Sequence, residues 1–158
     1  MRSFWLRQIS LLAFIFIFEA TTPSMSAQGV VTPPLTKCNI RIDNPHISKY
    51  ILRTRGVRAV KVNARSKCDK SMRDLKFIVE IYKVGLLRDT KVDDNVVAIQ
   101  GLIYPNQIIK NESANSLCLS RKPTKYYGVA YAIATIDGEQ RRTLKVLSAR
   151  TMTLNCGN

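Results

Sequence analysis

The amino-acid sequence predicts an all-β fold: an immunoglobulin-like sandwich of about seven strands in two sheets, with two disulfides. From Cys38 onward, apolar and polar residues alternate with period two, which is typical of half-buried strands. Turn signals such as Pro105-Asn106 and Asp137-Gly138 separate these runs, and no run shows a convincing helical stripe. Four cysteines, an even number, lie in the same region.

The amino terminus has the layout of a secretory signal peptide. Arg2 and Arg7 precede an apolar run from Ile9 to Phe18, and small residues follow up to Ala27. The run is about half of the roughly 20 residues that span a bilayer, although an uncleaved anchor is the alternative. We therefore expect a secreted, extracellular protein with a signal peptide at residues 1–27, an extended leader at 28–37 and one β-sandwich domain at 38–158.

The cysteines of an exported chain are expected to form disulfides. Three pairings are possible for Cys38, Cys68, Cys118 and Cys156. We favour Cys38 with Cys68 and Cys118 with Cys156, because each pair then joins neighbouring segments. A zinc site would need closely spaced ligand pairs, which this sequence lacks.

The strands follow from the periodicity. The row Leu75, Phe77, Val79 and Ile81 is expected to face the core. The more continuous apolar run Val96–Tyr104 indicates a central strand buried on both sides. The predicted strands lie near residues 39–43, 47–53, 57–68, 75–81, 96–104, 127–134 and 144–156, and Asn111–Asn115 is a candidate for one helical turn.

Several dispersed motifs carry a family resemblance. They include "CNIRIDNPHISKY", "VKVNARSKC" and "YYGVAYA", together with the cysteine near the end of the chain. The chain resembles small secreted proteins of actinobacteria that have an Asn-Pro-His-x-Ser stretch and two cysteine pairs. The resemblance implies export and an immunoglobulin-like sandwich and assigns no catalytic residue, because that family's function is undetermined.

Positive charge dominates the chain. Removal of residues 1–27 takes away Arg2, Arg7 and Glu19, which changes the net charge from +14 to +13. Between Lys49 and Lys76, ten basic residues accompany two acidic ones. The predicted polyanion-binding residues are Arg53, Arg55, Arg58, Lys61, Arg65, Lys67, Lys70 and Arg73.

This charge suggests a non-enzymatic protein that binds an anionic polymer or envelope surface, because a concentrated positive field attracts polyanions. Charge that serves only solubility is the alternative. A second hypothesis is a protein-binding module of the protease-inhibitor or adhesin type, which would use Arg88-Asp89 or Arg121-Lys122. Tyr126 and Tyr127 are candidates for base stacking.

The stretch "DNPHISKY" contains Asp43, His46 and Ser48, which are the residue types of a hydrolase triad. A working triad brings its members from separate segments, so we expect a turn with a structural histidine instead. Asp93-Asp94 is expected to lie in a solvated loop rather than a calcium loop. Asn111-Glu112-Ser113 matches the glycosylation sequon, which matters only in a eukaryotic source. No catalytic residue, metal site or cofactor is expected.

Overall fold

The computed structural model describes residues 37–158, so the predicted signal peptide and nearly all of the predicted leader lie outside the described residues. The described part is a two-sheet β structure with one short helix, which confirms the predicted all-β sandwich. Its elements are β1 (Cys38–Ile42), β2 (His46–Ile47), α1 (Lys49–Arg55), β3 (Ala59–Cys68), β4 (Met72–Lys83), β5 (Thr90–Ile103), β6 (Ile108–Leu117), β7 (Ser120–Ile136), β8 (Glu139–Arg142), β9 (Val146–Leu147) and β10 (Met152–Gly157).

The smaller sheet, here called sheet A, is built around β3. The strands β1 and β2 pair with successive halves of one edge of β3, and β6 pairs with its other edge, all antiparallel. Sheet B is built around β4 and β7, which pair with each other. The strand β5 lies beyond β4, while β8, β9 and β10 share the outer edge of β7.

The core lies between the inner faces of the two sheets. The predicted inward row on β4 is confirmed, since Leu75, Phe77, Val79 and Ile81 are all at most 2% exposed. The sheets approach closely at Gly128 of β7, where an added Cβ would lie 2.7 Å from a methyl carbon of Val62. Any larger residue at this position would collide with the side chains of Val62 and Ile42.

A buried amide also joins the two sheets. Asn111 of β6 is completely buried, and its Nδ2 donates to the carbonyls of Phe77 in β4 and Asn95 in β5, both at 3.0 Å. The residue therefore satisfies backbone carbonyls in sheet B from a strand of sheet A. Asn111–Asn115 belongs to strand β6, so the predicted helical turn there is wrong. Because Asn111 is buried, the sequon has no surface acceptor in the folded domain.

The helix occurs where the sequence analysis placed a strand. The prediction of a strand at 47–53 is wrong beyond Ile47, because the chain turns into α1 after Ser48. The hydroxyl of Ser48 accepts a hydrogen bond from the amide of Ile51, and Gly56 ends the helix in the left-handed conformation. These are the usual residues for the two ends of a helix.

Both predicted disulfides are confirmed. Cys38 and Cys68 face each other in the β1–β3 register, so the first bridge lies within sheet A. Cys118 follows β6 and bonds to Cys156 of β10, so the second bridge links the two sheets. The described residues contain no free cysteine.

The strands at the two edges of sheet B differ from those that the sequence predicts. The run Val96–Tyr104 was predicted as a buried central strand, but β5 is an edge strand, and Val96 and Leu102 are 46% and 47% exposed. The predicted hairpin at Asp137-Gly138 is confirmed, with φ values of 52° and 82° that suit a type I′ turn. After this turn the chain forms three short strands rather than one long one, and Leu144 is exposed.

Candidate functional site

The outer face of sheet A carries a concentration of positive charge. Alternation along β3 buries Val62, Ala64 and Ser66 and turns Lys61, Arg65 and Lys67 outward, as the sequence indicates. The strand register then aligns charges from three strands. Arg65 lies directly opposite Arg41 of β1 and opposite Lys110 of β6. We call Arg41, Arg65 and Lys110 the cationic row.

In the part of the chain that the structure describes, the cationic row has no acidic partner within ion-pair distance. All four ion pairs within residues 37–158 involve side chains of sheet B or of the segment between β8 and β9. Asp43 and Glu112 lie beside the row and line the same shallow depression as its members, yet neither approaches them within 4.0 Å. Like charges directly opposite each other in a sheet are destabilising, so the members of the row are expected to repel one another.

The predicted polyanion-binding residues do not all share this face. Arg53 and Arg55 lie in the last turn of α1, and the half-buried Arg58 precedes β3. Lys70 lies in the turn between the sheets, and Arg73 belongs to β4 in sheet B. The structure therefore brings together Lys61, Arg65 and Lys67 and leaves the other five elsewhere.

The sequence analysis did not identify Arg41 or Lys110 as members of the charged face. Arg41 follows the buried Ile40 in "CNIRI", and Lys110 follows the buried Ile109 in "IIKN". Each alternation marks an outward position, but only the pairing of distant strands places both beside Arg65.

The residues of the possible triad bind separate partners. His46 Nδ1 lies 3.1 Å from the carbonyl oxygen of Asn44, and the Ser48 hydroxyl caps α1. The Asp43 carboxylate accepts from the side-chain amide of Asn63 at 3.3 Å. The three side chains thus serve a turn, a helix end and a strand contact.

The outer face of sheet B is organised around a buried carboxylate. The side chain of Glu80 is 8% exposed and lies within 4.0 Å of two lysines, Lys145 at 3.3 Å and Lys91 at 3.9 Å. It also accepts hydrogen bonds from the hydroxyls of Tyr82 at 3.2 Å and Tyr131 at 3.4 Å. This carboxylate is compensated by the protein itself, as a buried charge requires.

The tyrosines of this face pack on one another. The rings of Tyr82 and Tyr127 stack with centroids 5.2 Å apart. Burial, with a contribution from the Asp89 carboxylate, raises the pKa of Tyr127 to about 12. Burial and the neighbouring Glu80 carboxylate also raise the pKa of Tyr82. The predicted base-stacking role has no support at Tyr126, which is completely buried and donates to the carbonyl of Cys156.

The acidic pair Asp93-Asp94 lies within β5, so the prediction of a solvated loop is wrong. Burial is the main cause that raises the pKa of Asp93. Among residues 37–158, no three His, Cys, Asp or Glu side chains form a cluster suited to a metal ion.

Comparison with known proteins finds no family model that matches this chain and no match among curated proteins. Within the part of the chain that the structure describes, no helix has the length and apolar character needed to span a membrane.

Proposed function

We propose that this protein is a secreted, non-enzymatic β-sandwich protein that binds an anionic polymer or surface through the outer face of sheet A. One observation carries the proposal. Arg41, Arg65 and Lys110 lie opposite one another across three strands, and none of them has an acidic partner within ion-pair distance among residues 37–158. A polyanion would relieve the repulsion expected between them and release counterions as it binds.

The neighbours of the cationic row extend the proposed binding face along β3. Lys67 and Lys61 point outward on the same strand, and Lys67 lines an open depression together with Arg41 and Arg65. A linear polymer with regularly spaced sulfates, phosphates or carboxylates matches such an extended charged strip better than a small anion does.

The test is retention of the exported protein on a heparin column. The triple variant Arg41→Glu, Arg65→Glu, Lys110→Glu should elute far below the salt concentration that elutes the unaltered protein. The matched control is Arg121→Glu, Lys122→Glu, Lys125→Glu, which changes exposed residues of β7 and alters the net charge equally. The control should lose little retention. Equal losses in the two variants would show that net charge alone governs binding and would refute the assignment to this face.

A second candidate function is a protein-binding module. The loop between β4 and β5 presents Leu86 and Leu87 with their side chains fully exposed, next to Arg88-Asp89, and Leu119 is 85% exposed nearby. Adjacent apolar side chains that are exposed to solvent often mark a surface that binds another protein.

This candidate makes a separate prediction for a trypsin-like protease, which cleaves or binds at basic residues. An inhibitor loop centred on Arg88 would inhibit such an enzyme stoichiometrically, and Arg88→Ala would abolish the inhibition. The variant Arg150→Ala, at an exposed position outside both candidate segments, serves as the control. Rapid cleavage without inhibition would eliminate the inhibitor form of this proposal.

Export is part of the main proposal. Its support is the pair of disulfides, which persist in oxidising compartments, together with the signal-like amino terminus.

The proposed relation to small secreted actinobacterial proteins rests on the dispersed motifs. The proposed immunoglobulin-like character rests on the pairing of β3 with β6 and of β7 with β4. Amino-terminal sequencing of the extracellular form tests the expected cleavage near Ala27.

A further inference from the structure

An open cavity of about 500 Å³ lies between the two sheets, at the end of the sandwich that holds β1 and β8. Protein interiors are normally close-packed and contain few voids larger than a water molecule. A cleft of this size instead falls within the range of about 300–1,000 Å³ that is typical of small-molecule sites.

The sequence of β7 creates this space. Its inner face carries the small side chains of Ala132 and Ala134, which line the cavity, while Tyr131 and Ile133, which alternate with them, point to the outer face of sheet B. The opposite wall consists of Ile40 and the Cys38–Cys68 bridge. The bridge fixes β1 against β3 within this wall.

The mouth of the cavity is cationic. Arg141 of β8 pairs with Ala134 in the strand register, so its side chain projects on the same side of the sheet as this cavity-lining residue. Its Nε is buried and has no hydrogen-bond partner among residues 37–158, although Nη2 donates to the exposed Glu139 at 2.9 Å. Lys37 lies at the same mouth.

An unpaired buried N–H favours an acceptor that approaches from the cavity. The ion pair between Arg141 and Glu139 does not preclude such an acceptor, because exposed ion pairs contribute little. Leu144 adds an apolar lip that is 88% exposed.

We propose that this cavity binds a long-chain fatty acid, with the acyl chain between the sheets and the carboxylate paired with Arg141. The apolar walls suit the hydrocarbon, whereas the charge at the mouth selects an anionic head group. This site is independent of the outer face of sheet A, so it goes beyond the function proposed above.

A ligand series tests the proposal on the unaltered exported protein, with affinities measured by displacement of the fluorescent fatty acid cis-parinaric acid. From decanoate to tetradecanoate, affinity should rise about fourfold for each added methylene, until the chain fills the cavity. Tetradecanol should bind at least about tenfold more weakly than tetradecanoate, because it lacks the charge that pairs with arginine. The absence of saturable binding, or affinity that is independent of chain length, would overturn the proposal.

Two variants locate the site. Arg141→Gln should lower the affinity for tetradecanoate about tenfold and leave that for tetradecanol nearly unchanged, whereas Arg65→Gln on sheet A should affect neither. Ala134→Phe should block both ligands by filling the cavity, whereas Ala98→Phe at an exposed position should not.

Melting temperatures establish whether each variant folds. If Ala134→Phe fails to fold, Leu144→Asn at the exposed lip replaces it and should weaken both ligands several-fold. Unchanged tetradecanoate affinity in Arg141→Gln would refute the assignment of the head group.

Discussion

The two outer faces of the sandwich differ in whether their charged side chains have partners within the protein. On sheet B, the Glu80 carboxylate is buried, and lysines and tyrosine hydroxyls from neighbouring segments surround it. On sheet A, Arg41, Arg65 and Lys110 lie side by side on adjacent strands, and no described residue forms an ion pair with them.

Under the proposed function, this difference separates charges that stabilise the fold from charges that bind a partner. A compensated charge has its partners within the fold, so its loss should appear as lost stability. An uncompensated, exposed charge contributes little to stability, so its loss should appear as lost binding. The same kind of substitution is therefore expected to have different consequences on the two faces.

The largest loss of stability is expected from a substitution that removes the Glu80 carboxylate on sheet B. Glu80→Ala should lower the free energy of unfolding by about 2–3 kcal/mol, because it leaves Lys145 and the hydroxyls of Tyr82 and Tyr131 without their shared acceptor. Arg65→Ala on sheet A should change stability by less than about 0.5 kcal/mol. Urea unfolding of both variants measures this contrast, and equal losses would contradict it.

A slightly smaller effect is expected at the link between the sheets. Asn111→Ala should destabilise the protein by about 2 kcal/mol, because the carbonyls of Phe77 and Asn95 lose their buried donor. Asn115→Ala on the same strand is the control, since this residue is only partly buried. A loss below about 0.5 kcal/mol for Asn111→Ala would show that other donors or water replace the amide.

The stability of the protein at alkaline pH tests the burial of Tyr127 on sheet B. The pKa of Tyr127 is about 12 in the folded protein, against 10.0 for an unperturbed tyrosine. The stability linked to this raised pKa is complete below pH 10 and is lost as the pH rises through about 12.

Thermal unfolding measured across this pH range checks the prediction. The decline should be shallower in Tyr127→Phe than in the unaltered protein, and Tyr50→Phe, on the exposed surface of α1, is the control. An unchanged decline in Tyr127→Phe would argue against burial of the hydroxyl.

The smallest expected effect tests the repulsion within the cationic row. Arg65→Glu should raise stability by about 0.5 kcal/mol, because two like-charge contacts become favourable ones. Lys145→Glu should lower stability by about 1 kcal/mol, because it places a second carboxylate beside Glu80. Added salt should diminish both changes. Destabilisation by Arg65→Glu at low salt would indicate that the row is not strained.

Periodicity allowed the prediction of strands β3, β4 and β7 and of the outward direction of Lys61, Arg65 and Lys67. The disulfide pairing followed from proximity in the sequence. These features depend on local patterns and short connections, which a single sequence expresses directly.

Features that depend on tertiary pairing were not predictable in the same way. The strand β6 escaped notice because its sequence is polar and the buried Asn111 occupies a core position. The apolar run in β5 suggested a central strand, although the sheet ends there. The helix α1 had a local signal, Ser48 and Gly56 at its two ends, which the extended interpretation of "HISKYILR" overlooked.

The salt dependence of heparin binding tests the central claim most directly. The slope of log affinity against log salt counts the cationic contacts, and each lost contact reduces it by about one. The variant Arg41→Gln, Arg65→Gln, Lys110→Gln should reduce the slope by about three, whereas Arg121→Gln, Lys122→Gln, Lys125→Gln should leave it unchanged. Equal slopes for the unaltered protein and the sheet A variant would contradict the assignment of polyanion binding to this face.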